Sequence, residues 1–266
     1  LGPSDARRHH RALVLQALYR GQGLSRADLS RDLGLSRVTI SDVVADLVNE
    51  ACVIELGTRA ASRPGKPATV LDINRQGHNI VGLDLSGSKS FVGVVTDLDG
   101  AVIERVELDI PQALGDDAIV AVETLLTDLV ALARRPVIGV GVGSPGIVDD
   151  RGVVLSAPNL GWRDVPLQSQ LAKTCGLPVA VANDANAAVG ASSFGDGQPD
   201  MILVRIGRGV GSGLMIDGRI VGGARHAAGE IGHVVSDTDE GEPCACGNSG
   251  CLERWLAIPR IEAHLA

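Results

Sequence analysis

Aromatic side chains are nearly absent: 266 residues include two Trp, two Phe and one Tyr. Binders of single-stranded nucleic acid stack bases on exposed rings, and this chain has too few rings for that. Long apolar runs are missing too. The stretch from Pro136 to Val142 is broken by glycine, well short of the roughly 18 residues that a membrane span needs. Residues 1–11 are charged and contain no apolar signal core, so a cytoplasmic location and no membrane partner are expected. Five cysteines make an odd count, and three of them crowd into Cys244, Cys246 and Cys251. With no export signal, that clustering favours a metal over disulfides. Cys52 and Cys175 stand alone among apolar neighbours and read as core residues.

What is present is unevenly spread. The net charge is −8, yet residues 1–70 carry 10 Lys+Arg against 7 Asp+Glu, and the remainder carries 14 against 25. A basic head on an acidic body suits a DNA-reading module joined to a domain that does not touch nucleic acid. Three segments are expected: 1–76, 77–184 and 185–266.

In the head, Ala12, Leu13, Leu15, Ala17 and Leu18 form one helical stripe, ended by Gly21 and Gly23. Ser25, with Asp28 three residues on, is a capping box for a short helix reaching Leu33. Gly34 breaks it, and Ser36 caps a third helix that runs to about Asn49. Two helices joined by a tight glycine turn make a helix-turn-helix. The alternation from Cys52 to Ile73 predicts a two-stranded wing whose basic tip spans 63–67.

Beyond Gly77 short apolar strands alternate with helices. Strands are expected from Ile80 to Leu85, Phe91 to Thr96, Val102 to Leu108 and Val137 to Val142, with a helix near Asp116 to Arg134. Val179 to Asn183 and Met201 to Ile206 read as further buried strands. A hairpin around Asp97 and Gly100 makes the sheet mixed, so the body is α/β without being a plain nucleotide-binding crossover fold.

Four constellations could carry chemistry. Asp84, Gly87 and Lys89 sit in a strand turn that can offer backbone amides to phosphate, its aspartate helping to hold a metal. Gly207, Gly209, Gly211 and Gly213 alternate in a segment that another surface can approach without meeting side chains, or that forms a tight hairpin. Asn183 and Asp184 end an apolar strand, while Glu230 and His233 lie three residues apart; carboxylate, amide and imidazole can hold sugar hydroxyls. His233, Cys244, Cys246 and Cys251 make one imidazole and three thiolates, a closed tetrahedral set for structural zinc. Zinc there would pin the segment carrying Glu230.

The runs IGRGVGSGLMIDGRIVGGARHAAGEIGH (206–233) and PCACGNSGCLE (243–253) resemble the ROK family of repressors, open reading frames and kinases. GSPGIV (143–148), APNLGW (157–162) and NDANA (183–187) match its sugar-site elements in the same order. The likeness runs from about Ile80 to the end. It implies an actin-like (ribonuclease H-like) two-lobed sugar-kinase fold, preceded here by a winged helix-turn-helix. It further implies a sugar held by Gly146, Asn159, Asn183, Asp184, Glu230, His233 and Glu253, with Asp184 the base in family kinases and ATP with Mg2+ on the glycine loops. Kinases of the family commonly show Asp-x-Gly-Gly-Thr-Lys at the first loop, where this chain has Ser86. They also carry a C-terminal region that supplies the adenosine pocket, and no counterpart lies within these residues.

The N-terminal head matches the family's repressors. Ser36, Arg37, Thr39 and Ser41 would begin the recognition helix, and Arg63 and Lys66 the wing contacts. The expected function is a sugar-responsive regulator of carbohydrate genes. It would be a homodimer or homotetramer on inverted-repeat operator DNA, with a sugar or sugar phosphate as effector. A sugar kinase that kept a DNA-binding head and a zinc-responsive regulator are the alternatives.

Overall fold

Residues 3–21, 23–59, 68–87, 89–111, 113–236, 241–244 and 246–265 are described by a computed structural model. The chain divides into two units. One holds Leu1–Asn79 with Asp97–Ala101 and Arg134–Pro136; the other holds Ile80–Thr96, Val102–Ala133 and Val137–Ala266.

The first unit is built on helix ends that the sequence marks. Helix α1 (Pro3–Arg20) begins earlier than its apolar stripe. A two-residue strand β1 (Leu24–Ser25) leads into α2 (Arg26–Leu33), where Ser25 and Asp28 form a complete capping box and Gly34 closes the helix at φ 66°. Ser36 caps α3 (Arg37–Asn49) by accepting the Thr39 amide at 3.0 Å. Strands β2 (Val53–Arg59) and β3 (Ala68–Ile73) join β1 in an antiparallel sheet of order β1-β3-β2. Val14, Leu18, Leu29, Ile40, Val44, Leu47 and Leu71 are fully buried between helices and sheet. At about 1.5–3 kcal/mol for each fully buried aliphatic chain, this core outweighs the exposed ion pairs Arg7–Asp46 and Arg11–Glu50 that tie α1 to α3. The tip with Arg63 and Lys66 lies outside the described residues.

The second unit begins with β4 (Asn79–Asp84), β5 (Ser90–Thr96) and β6 (Val102–Asp109), an antiparallel meander. Helix α4 (Asp116–Leu132) lays Val122, Leu125, Leu126 and Leu129 on this sheet, with Asp116 and Asp117 placed where the helix dipole favours negative charge. Strand β7 (Val137–Ser144) follows. A small antiparallel sheet of β8 (Ile147–Val148), β9 (Val154–Ala157) and β10 (Trp162–Val165) comes next, then α5 (Leu167–Cys175). Strand β11 (Val179–Asn183) runs parallel to β7, completing a five-stranded sheet of order β11-β7-β4-β5-β6.

Helix α6 (Asp184–Asp196) crosses to a second sheet of β12 (Met201–Ile206), β13 (Val210–Ile216) and β14 (Arg219–Ile220). Asp217 and Gly218 both have positive φ, the turn that suits a two-residue hairpin between β13 and β14. Strand β12 is not the buried strand its apolar run suggests. Ile202 is 70% exposed and Val204 52%, because α6 covers only one face and alternate residues point to the other. The described chain ends with α7 (Glu253–Leu256) and α8 (Ile258–Leu265). Cys52 and Cys175 are half-buried at the margins of their cores. Among the described residues no helix is long and apolar enough to cross a membrane.

Candidate functional site

The site is organised around the junction where β11 becomes α6. Asn183 is the N-cap of α6: its Oδ1 accepts the amides of Ala185 at 2.9 Å and Asn186 at 3.0 Å. Its Nδ2 donates to the carbonyl of Gly146 at 2.8 Å, so one side chain both caps a helix and ties it to the loop before β8. Gly146 has φ +83°, and a Cβ there would lie 2.1 Å from the Ser156 carbonyl; no other residue fits. Asp184 follows directly, one carboxylate oxygen accepting the Ala185 amide and the other an Arg205 N–H at 2.6 Å. Burial pushes the Asp184 carboxyl above its ordinary range, against the downward pull of Arg205.

Glu230, His233 and Glu253 enter from chain with little regular structure. Ile231–His233 is a single 3-10 turn, and the Val235–Cys251 and Pro243–Ser249 bridges are isolated. Ligand atoms of His233, Cys244, Cys246 and Cys251 all lie within 4.8 Å of one another, close enough to hold a metal ion. His233 Nδ1 is 3.6 Å from the Cys244 sulfur, while its Nε2 is 3.9 Å from Glu230. Cys244 and Glu230 thus face different nitrogens of the His233 ring. Glu253 accepts the Val210 amide at 3.3 Å and, through its other oxygen, the Cys244 thiol at 3.5 Å. Burial raises the Glu230 carboxyl as well.

A cavity of about 380 Å³ gathers these groups. Gly146, Asn159, Asn183, Asp184, Glu230, His233 and Glu253 all line it, with Gly87, Gly207, Gly209 and Gly211 from the two loops. That volume is in the range of small-molecule sites, roughly 300–1,000 Å³. Three expected residues stand apart from the lining. Lys89 is exposed, and Asp84 touches the lining through the Ser86 amide, which it accepts at 2.9 Å, and Arg205, at 3.9 Å. Gly213 serves packing: a Cβ there would meet the Ala185 carbonyl at 2.3 Å, so the glycine lets α6 close on β13. The segment 206–210 is the tight hairpin between β12 and β13.

Residues not singled out from sequence also line the cavity, notably Arg205, Arg208 and Ser212. Arg205 had a readable signal: it is the lone charge in the strand MILVRI. In the first unit, Ser36, Arg37 and Ser41 are exposed at the start of α3, while the Ser36 and Thr39 hydroxyls bond each other at 2.8 Å.

The ROK family model matches residues 80–266. The chain is 33% identical over 259 residues to the xylose repressor of Caldicellulosiruptor bescii, covering 93% of this chain and 63% of that one. Its fold superposes with a TM-score of 0.81 on a crystal structure described as a ROK family transcriptional regulator, homolog of the E. coli MLC protein. The identity is 26%, over 98% of this chain and 67% of the other. A ROK family glucokinase from Streptomyces griseus, in complex with glucose and AMPPNP, superposes with a TM-score of 0.62 at 33% identity, over 69% and 58%. The chain spans a little under two thirds of the length of the curated repressors it matches.

Proposed function

Since the chain belongs to the ROK family and has the family's mixed α/β, actin-like sugar-kinase fold, we propose that it is a sugar-responsive transcriptional repressor of carbohydrate genes. One observation carries the reading: the seven positions expected to bind a sugar, scattered from 146 to 253 in sequence, line a single cavity. Asn159, Asn183, Asp184, Glu230, His233 and Glu253 offer amide, carboxylate and imidazole groups, the chemistry that reads a polyol. The similar repressors are named for xylose, which makes xylose the first ligand to try.

The metal is zinc in this reading. Tetrahedral zinc with bonds of about 2.3 Å to sulfur and 2.0 Å to nitrogen sets its ligands about 3.5–3.8 Å apart. The Cys244–His233 and Cys246–Cys251 separations are both 3.6 Å. Three thiolates and an imidazole leave no open position, so zinc supplies rigidity and no Lewis-acid chemistry.

The first unit acts as a winged helix-turn-helix, with α3 entering the major groove of operator DNA. Arg37 and Ser41 are exposed for base or phosphate contacts; Ser36 and Thr39, bonded to each other, fix the entry of the helix. Arg63 and Lys66, which lie outside the described residues, are the further candidates for phosphate contacts. Two-fold pairing of chains, as a dimer or a dimer of dimers, would place two such heads on an inverted repeat. Sugar in the cavity changes operator affinity through the 73–79 connection, by only as much as it prefers one conformation over another. Such a regulator works with the chromosome in the cytoplasm.

Operator duplexes selected from a random pool, followed by anisotropy titration with xylose, glucose, N-acetylglucosamine and their phosphates, test this reading. An inverted repeat whose binding weakens with one sugar is the expected result; operator binding untouched by every sugar would end it. The similarity to a glucokinase and the half-buried Asp184 with its raised carboxyl favour one rival, an ATP- and Mg2+-dependent sugar kinase. Steady ADP release with a sugar, abolished in Asp184→Asn, would replace the repressor reading with that one.

A further inference from the structure

Arg205 carries a set of contacts that sugar recognition does not require. It projects from β12 into the cavity, while its neighbours Val204 and Ile206 point to the exposed face of the same strand. One guanidinium nitrogen donates to Asp184 at 2.6 Å, and the other donates to the Ser86 hydroxyl at 2.7 Å and lies 3.9 Å from Asp84. Asp84 ends β4 and Ser86 follows it in the turn, Asp184 stands at the start of α6, and Arg205 belongs to the second sheet. A single side chain thus joins three elements across the cleft.

We infer that Arg205 is a positioning residue, an internal cation that fixes Asp184 as an ionised hydrogen-bond acceptor and bolts it to the 84–86 turn, giving a site that binds sugar without activating it. This rests on the sugar-site reading above. A carboxylate oxygen already held by an arginine N–H has one lone pair engaged, and Arg205 pulls the Asp184 carboxyl down against the upward push of burial, so Asp184 is less basic than the same half-buried group would be without the cation. It remains a good acceptor for a hydroxyl through its free lone pairs. The guanidinium cannot be deprotonated, so it cannot release Asp184 by losing its own charge. Ser86 acquires a reason as well: its hydroxyl is the far anchor that holds the guanidinium plane. The adjacent Gly87 leaves no room for such a group, since a Cβ there would lie 2.1 Å from the Ser90 carbonyl.

The test uses the whole chain and three variants: Arg205→Met, which keeps the length and drops the charge, Arg205→Lys, which restores the charge, and Ser86→Ala. Carbon-13 titration of labelled aspartate, with Asp184 assigned through Asp184→Asn, reads the carboxyl without any sugar. Arg205→Met is expected to raise the Asp184 midpoint by about 1 pH unit or more. Arg205→Lys should restore most of it, and Ser86→Ala should shift it the same way by less. Calorimetry with the sugar panel should then show Arg205→Met losing affinity increasingly as pH falls, a pattern that a merely structural change would not give. An unchanged Asp184 midpoint in folded Arg205→Met, or equal pH profiles of sugar affinity, overturns the inference. If the parent binds no sugar, the sugar-site reading fails while the carboxyl titration still decides the role of Arg205.

Discussion

The two ends of the cavity hold their polar groups by different means. At one end Asn183 and Asp184 are set by regular structure: a strand in a five-stranded sheet turns into a helix, and the cavity-lining amide is the helix cap itself. At the other, Glu230, His233 and Glu253 hang on glycine-rich chain with one 3-10 turn, a four-residue helix and two isolated bridges. That chain has almost no apolar core of its own; Cys244, Cys251 and Ala257 are its buried apolar residues. Backbone hydrogen bonding and packing can place a side chain without help, whereas irregular chain needs a cross-link, and a metal ion held by His233, Cys244, Cys246 and Cys251, as proposed above, would supply one.

The largest expected effect is therefore at the irregular end. Cys251→Ser, or treatment with a strong chelator, should lower sugar affinity by about 10- to 100-fold. Circular dichroism of the sheets and the first unit should change little. Metal content by mass spectrometry together with calorimetry checks this; full sugar affinity in a metal-stripped protein would erase the contrast between the two ends.

At the regular end the expected losses are of packing and capping. Gly213→Ala drives a methyl against the Ala185 carbonyl, and α6 must shift, for a loss of about 1–3 kcal/mol in urea unfolding. Asn183→Ala removes the α6 cap and the tie to Gly146, for about 1–2 kcal/mol, and weakens sugar binding with the metal retained. Should either variant shed its metal, the two ends are coupled more tightly than their geometry suggests.

The smallest effect is electrostatic. Burial raises the folded Asp184 carboxyl above its unfolded value of 3.8, so the folded chain binds that proton more tightly. The resulting stabilisation is complete below 3.8 and is lost as pH rises through the raised folded value. Asp184→Asn should flatten that part of the stability-against-pH curve; a curve parallel to the parent's would remove Asp184 as its source.

What the sequence revealed follows the same division. Ser25, Gly34 and Ser36 mark helix ends by local chemistry: α2 starts and stops, and α3 starts, where those residues say. The cavity residues were legible because their types and order follow a family pattern. Less legible was the run DANAAVGASSFGD of α6, whose small residues give no apolar stripe although glycine and alanine let it pack closely. Two-residue strands such as β8 carry too few positions to show a period. The apolar run of β12 hid an exposed face, and the partners of Arg205 come from a turn 119 residues away and a helix start 21 residues away in sequence, which no local pattern records.

Titration calorimetry of the sugar panel into the parent chain and into Glu230→Gln, at constant metal content, tests the central claim most directly. A sugar that binds the parent at a single site and loses most of its affinity in the variant is the predicted result. Equal binding by both, with the metal in place, would contradict it.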